Sequence, residues 1–228
     1  MSETTMLKNR SGESGSARVT GAVLVAATVL EVLVMAHHPS VRAPDLATAV
    51  EQLGKIAGLS AVVHGTLIVL LLVGFYCLTE FSRLLGLHRP AVRAGLVAYA
   101  VGVIAMVGAA TVDGLVTGQI AAHVLHDGAE NLQITRQILV LCEVLNQALA
   151  RMGTVATAIG IAAWSAALWR IGGLARAIGV FGILLGVLSA AALLSGALQL
   201  DVHRMLLVVT LEGVWTVGAG VLLLWRSV

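Results

Sequence analysis

Three carboxylates and three histidines stand where an apolar chain seldom carries them. Glu31, Asp113 and Glu212 lie inside or near the ends of long apolar runs, and His37, His38 and His64 lie close to the mouths of two such runs. An ionisable side chain in hydrocarbon costs roughly 3 kcal/mol or more, so each of these needs a partner, a proton or a ligand. In the stretch from Glu31 to Ser40, a helical turn of ~100° per residue sets Glu31, Met35 and His38 on one face, with the His37–His38 pair at the helix mouth. If Glu31, Asp113 and Glu212 all face the interior ionised, the only buried positive charge to set against them is Arg151. Two charges then remain uncompensated, which calls for two protons or one bound cation. Imidazole suits zinc and copper, whereas magnesium and calcium want oxygen throughout. The expected metal ligands are therefore His37, His38 and His64, holding zinc or copper. Glu31, Asp113, Glu143, Asn146, Arg151 and Glu212 complete a polar ligand-binding set.

Each of these residues also has a plainer reading. Glu31 and Glu212 can be protonated carboxyls that donate to a backbone carbonyl, or members of a structural ion pair with Arg151. His64 can be a neutral ring packed between helices. His123 and His126 have the spacing of two ligands on one helix face, yet they sit at a hydrophilic tip that reads as solvated surface. Met35, Met106, Met152 and Met205 offer soft sulfur, but scattered methionine in apolar helices serves packing. The chain has no His-Glu-x-x-His, Gly-x-Ser-x-Gly, phosphate-cradling glycine loop or Cys-x-x-Cys, so the common soluble chemistries find no support. Cys77 and Cys142 fall at different depths and read as packing residues.

The elements that must position these groups follow from composition. Of 228 residues 58% are hydrophobic and 11% charged, with a mean hydropathy of +0.96. That is the composition of an all-α, polytopic bundle of transmembrane helices whose partner is the lipid bilayer. The basic residues are spread along the chain, so no nucleic acid is expected as partner. Residues 1–17 read as a disordered cytoplasmic tail and residues 18–228 as one six-helix domain. The first helix runs from Arg18 to about His38. Val34-Met35-Ala36 has the form of a signal-peptidase site, but Glu31 interrupts the would-be signal core, so the helix is expected to be retained. Asp45 is the N-cap of a second helix, which continues through Glu51 and Lys55 into the apolar run Leu59 to Leu78. The third helix extends from about Ala91 to His126 and the fourth from about Leu132 to Trp169, joined at a polar tip around Asp127, Glu130 and Asn131. The second, third and fourth exceed the ~20 residues that cross hydrocarbon and are expected to project beyond the outer membrane surface. A basic turn, Arg170 to Arg176, opens a fifth helix that reaches about Gln199, and a sixth ends at Trp225-Arg226.

Lys8, Arg10, Arg18, Arg83, Arg89, Arg93, Arg170, Arg176 and Arg226 then fall on one side, against Arg42, Lys55, Arg136 and Arg204 on the other. By the positive-inside rule both termini are cytoplasmic, in the cell's inner (plasma) membrane. Pairing the third and fourth helices about Ala129 sets Asp113 across from Glu143, Asn146 and Gln147. The hydropathy pattern and the stretch Trp169-Arg170-Ile171-Gly172-Gly173-Leu174-Ala175-Arg176 through Gly186 resemble a group of bacterial six-helix membrane proteins known only as a domain of unknown function. That resemblance implies a fold and no activity. Three classes of function remain: a metal- or ligand-binding protein with a funnel open to the outside; an intramembrane enzyme, using a metal-bound water or a carboxyl proton on an amphiphilic small molecule; and an accessory subunit of a larger membrane complex. An apolar stripe on the projecting helices would favour the last.

Overall fold

The structure, a computed structural model, describes residues 3–41, 43–127 and 132–225, with no side-chain placement for residues 3–14, 125–127, 132 and 202. Arg42, the tip residues Glu130 and Asn131, and Arg226 lie outside the described residues, as does the side chain of His126. Among the described residues the chain is helical without strands, and six helices are long and apolar enough to cross a membrane. The architecture is thus the all-α membrane bundle that the composition requires.

Helix α1 spans Glu3–Ala36, so helical backbone runs through the polar stretch expected to be a disordered tail. None of the chain's three prolines interrupts that stretch, and only Gly15–Ala36 is apolar enough to span. Helix α2, Leu46–Leu85, starts as its sequence predicts: the Asp45 carboxylate accepts from the Thr48 amide at 2.9 Å. The Thr48 amide and hydroxyl hold the Asp45 carboxyl below the usual carboxylate range. The third span departs from a uniform helix. Helix α3 (Pro90–Thr111) passes into a π-helical segment, Val112–Thr117, before α4 (Gly118–Asp127) resumes the α-helical turn. Helix α5 covers Leu132–Leu168, α6 Gly173–Leu194 and α7 Val202–Trp225. Helix α6 stops short of the expected Gln199 because Gly196 adopts a left-handed φ of 76° just past its end.

With no hydrophobic effect to press helices together in lipid, close packing does the work, and small residues permit it. Gly95 and Gly102 of α3 face the backbone at Gly160 and Gly153 of α5. Gly179 and Gly186 of α6 face α5 at Ser165 and Ala158, and Gly21 of α1 faces Gly220 of α7. These antiparallel contacts set the register of the bundle. Toward the end holding the α2–α3 and α5–α6 turns, Phe81, Trp164 and Trp215 close the interior. The two indoles stack with centroids 5.8 Å apart. Each indole N–H finds a serine hydroxyl at 2.9 Å, Trp164 to Ser82 and Trp215 to Ser165. A buried indole without such an acceptor would cost about 1–3 kcal/mol, so the serines are part of what makes this plug tolerable. Trp169 and Trp225, by contrast, are exposed at helix ends.

Candidate metal centre

The site is assembled at the opposite end by three elements that stop, bend or approach one another for local reasons. Helix α1 ends at Ala36, with the His37 and His38 amides donating to Val34 and Met35 carbonyls in a last tight turn, and Pro39 prevents its continuation. This leaves His38 at the rim with its ring turned inward. His64 sits on α2, well inside the span and 3% exposed. Asp113 comes from the π-helical segment, where the extra residue per turn rotates the chain relative to α3. The Thr117 hydroxyl donates to Val112 five residues back, in keeping with the wider turn. Gly114, beside Asp113, is the point of closest approach: a Cβ there would overlap the Cβ and ring of His64, so only glycine lets the two helices meet at this level.

Three ligand atoms converge as a result. His38 Nε2 and His64 Nε2 are 3.0 Å apart, His64 Nε2 lies 3.1 Å from Asp113 Oδ2, and His38 Nε2 lies 3.6 Å from that same oxygen. The His64 tautomer follows from its other nitrogen. Nδ1 faces the Ser60 carbonyl at 2.8 Å, and a carbonyl only accepts, so Nδ1 carries the proton. A neutral His64 therefore turns its Nε2 lone pair toward a carboxylate oxygen and a second imidazole. That encounter is repulsive unless a proton or a cation sits between them. The arrangement is also the support that metal-bound histidine takes, with the distal N–H held by a backbone carbonyl. His38 Nδ1 is enclosed with no hydrogen-bond partner among the described residues, so what orients this ring is its Nε2 side.

The distances fit an ion. A point equidistant from the three atoms lies about 1.9 Å from each in their plane, and lifting it by roughly 0.7–0.9 Å gives the 2.0–2.1 Å that zinc keeps to imidazole nitrogen and carboxylate oxygen. His38, His64 and Asp113 are the one group of three such ligands found among the described residues. They line a cavity of about 130 Å³, together with Asn146 and Gln147 of α5, Glu31, Asp201, Met35, Met106 and Met205. Three protein ligands leave a fourth position, which this cavity supplies.

Not every expected member is present. His37 turns the other way: its Nδ1 donates to the Leu33 carbonyl at 2.8 Å on the exposed side of α1, because adjacent residues on a helix point ~100° apart. The third member of the His38 and His64 group is Asp113. Arg151 is exposed and makes no ion pair with Glu31 or Glu212; with Glu143 it lines two open clefts instead. Glu31 and Glu212 lie deeper, in a chamber of their own. Two supporting residues escape sequence reasoning, Ser60 and Gly114. The four-residue spacing of Ser60 and His64 was a visible signal, whereas the close approach at Gly114 exists only once the helices are packed. Comparisons with protein-family models, with curated proteins and with solved structures find no match to this chain.

Proposed function

We propose that this protein binds a transition-metal ion at the outer end of its transmembrane bundle, through His38 Nε2, His64 Nε2 and Asp113. The observation that carries the reading is the convergence of two imidazole nitrogens and a carboxylate oxygen within 3.6 Å, the His64 tautomer being set by Ser60. Two imidazoles and one carboxylate form a borderline-soft donor set that favours zinc, and the same set serves ferrous iron and accepts copper. The fourth position faces the cavity. A water or a polar group of an amphiphilic molecule can occupy it there, as in zinc sites that keep an exchangeable ligand.

Elemental analysis of protein purified without chelators tests this directly. The expected result is close to one zinc per chain, lost in His38→Ala, His64→Ala and Asp113→Asn and retained in His37→Ala. Native protein that carries no metal, and whose melting temperature is the same with and without chelator, would overturn it. Iron in place of zinc keeps the site and changes the ion.

A second reading, as a subunit of a larger membrane complex, draws on a different observation. Ile134, Ile138, Leu141 and Leu145 are exposed on α5 at alternating spacings of four and three. Helix α6 does not cover them, since its last residue, Leu194, borders a cavity with Arg151, Met152 and Val155. A 3.5-residue apolar repeat is the seam of a left-handed pair of helices, so the occupant is a helix of another subunit. On this reading Leu141→Lys lowers the mass of the particle extracted from native membranes in mild detergent. An unchanged monomeric mass for both proteins removes it.

A further inference from the structure

Below the metal centre lies a second chamber whose chemistry is different. The contacts of Gly21 with Gly220 and of Gly213 with Thr28 and Val32 fix α1 against α7 so that Glu31 and Glu212 come level on facing helices. Both line one small cavity of about 50 Å³, with Tyr99 of α3, Thr154 and Thr157 of α5, Thr28 and Thr216. No Lys, Arg or His lines it. Donors for two carboxylates are scarce. The hydroxyls of Thr28, Thr154 and Thr216 are already donated to the Leu24, Ala150 and Glu212 carbonyls. Thr157 has one proton and two calls on it, the Thr154 carbonyl at 3.0 Å and Glu212 Oε1 at 3.2 Å. Given to the shorter contact, it leaves Thr157 to accept from a protonated Glu212. Glu31 has no hydrogen-bond or ion-pair partner among the described residues, and its carboxyl is turned into the chamber.

Glu31 also lines the upper cavity, with Leu71, Met106, Met205 and Val209 as the other residues common to both. The two cavities therefore adjoin at Glu31, the upper one leading past Asp201, Asp113, His64 and His38, and the Phe81, Trp164 and Trp215 plug lies beneath. Two ionised carboxylates facing each other here, with only the divided Thr157 hydroxyl and the Tyr99 phenol as side-chain donors and no cation in the lining, are not sustained in low-dielectric surroundings. The donor set is oxygen only and too sparse for calcium, which takes six to eight oxygens, or for octahedral magnesium. We propose that Glu31 and Glu212 form a proton-binding site loaded from the outer cavity, with Glu31 as the residue that exchanges protons between the two chambers. The site is separate from the metal centre and stands without it.

Infrared spectroscopy on the full chain in lipid vesicles tests the proposal through the C=O band of protonated carboxyl. The native protein should show this band at neutral pH, and it should shrink as the medium on the metal-centre side, but not on the plug side, is made alkaline. Glu31→Gln and Glu212→Gln should each remove part of the band and the double variant should lose it. The His38→Ala/His64→Ala variant should keep it, which separates this outcome from failure of the metal site. Dicyclohexylcarbodiimide gives a second readout, since it adds intact across a protonated carboxyl and leaves an acylurea. Mass spectrometry should find it on Glu31, and not on exposed Glu143. Absence of the band at all pH values, or its response only to the pH on the side of the indole plug, would overturn the proposal. So would its loss on adding sodium or calcium at fixed pH, which would assign the carboxyls to a metal cation.

Discussion

A methyl group at Gly114 would collide with the Cβ and ring of His64, so Gly114→Ala must push α2 away from the π-helical segment or turn the imidazole off its Ser60 carbonyl. Either response spoils the triangle of ligand atoms. Groups that only orient a ligand typically change metal affinity 10–100-fold. The variant is therefore expected to insert and fold normally yet bind zinc at least tenfold more weakly, as read by competition with a fluorescent chelator. Unchanged affinity would show that the close approach at Gly114 is incidental. A second expectation concerns protons. Imidazole ligates only as the neutral base, so two such ligands must both be free of protons at Nε2 when the ion binds. Zinc affinity should therefore fall as the medium is acidified, by up to ~100-fold per pH unit where both imidazoles are protonated in the free protein. The same titration on His38→Ala should fall half as steeply. Equal slopes would mean that His38 is not a ligand. At this scale the sequence was a partial guide. It supplied His38, His64 and Asp113 as residues too polar for their surroundings, but it could not choose between His37 and His38, because that choice rests on where α1 stops relative to its neighbours.

Among the elements, the six spans were readable because apolar runs of this length have no other stable use, and the Asp45 cap was readable from its place before such a run. The π-helical turn was not. Val112 to Thr117 contains no proline and no residue that forbids the α-helix, so the wider turn comes from packing against α2 and α5 rather than from local preference. Its role can be tested by removing the extra residue. Deleting Val116 should let the third span continue as an α-helix, rotating Asp113 by ~100° relative to the segments that follow. The expected outcome is a protein with its membrane topology intact and its metal lost, seen by elemental analysis alongside circular dichroism. Retention of metal would mean that the bulge forms elsewhere in the helix and that Asp113 is held by other contacts. The turn between α6 and α7 shows the same limit, since Gly196 ends α6 before the apolar character of the sequence runs out.

For the whole molecule, polarity runs along the bundle axis. One end holds the α2–α3 and α5–α6 turns and the indole plug. The other holds the chain reversal after α1, the α6–α7 turn, the metal centre and the two cavities above the plug. Arg83, Arg89, Arg93, Arg170 and Arg176 gather at the first end, whereas Lys55, Arg136 and Arg204 are, among the described residues, the Lys and Arg of the extensions at the second. Positive charge near helix ends is retained on the cytoplasmic side, so the metal centre is expected to open outward. Ser195 and Arg170 are both exposed and stand at opposite ends, which makes them suitable reporters. In a background where Cys77 and Cys142 are replaced by alanine, Ser195→Cys in sealed cells should react with an impermeant thiol reagent, and Arg170→Cys should react only after the membrane is opened. The reverse pattern would turn the bundle over. The His38, His64 and Asp113 cluster would then draw its ion, and Glu31 its proton, from the cytoplasm, while the internal geometry of both sites would stand. Orientation and chemistry are thus independent claims, and this labelling experiment separates them.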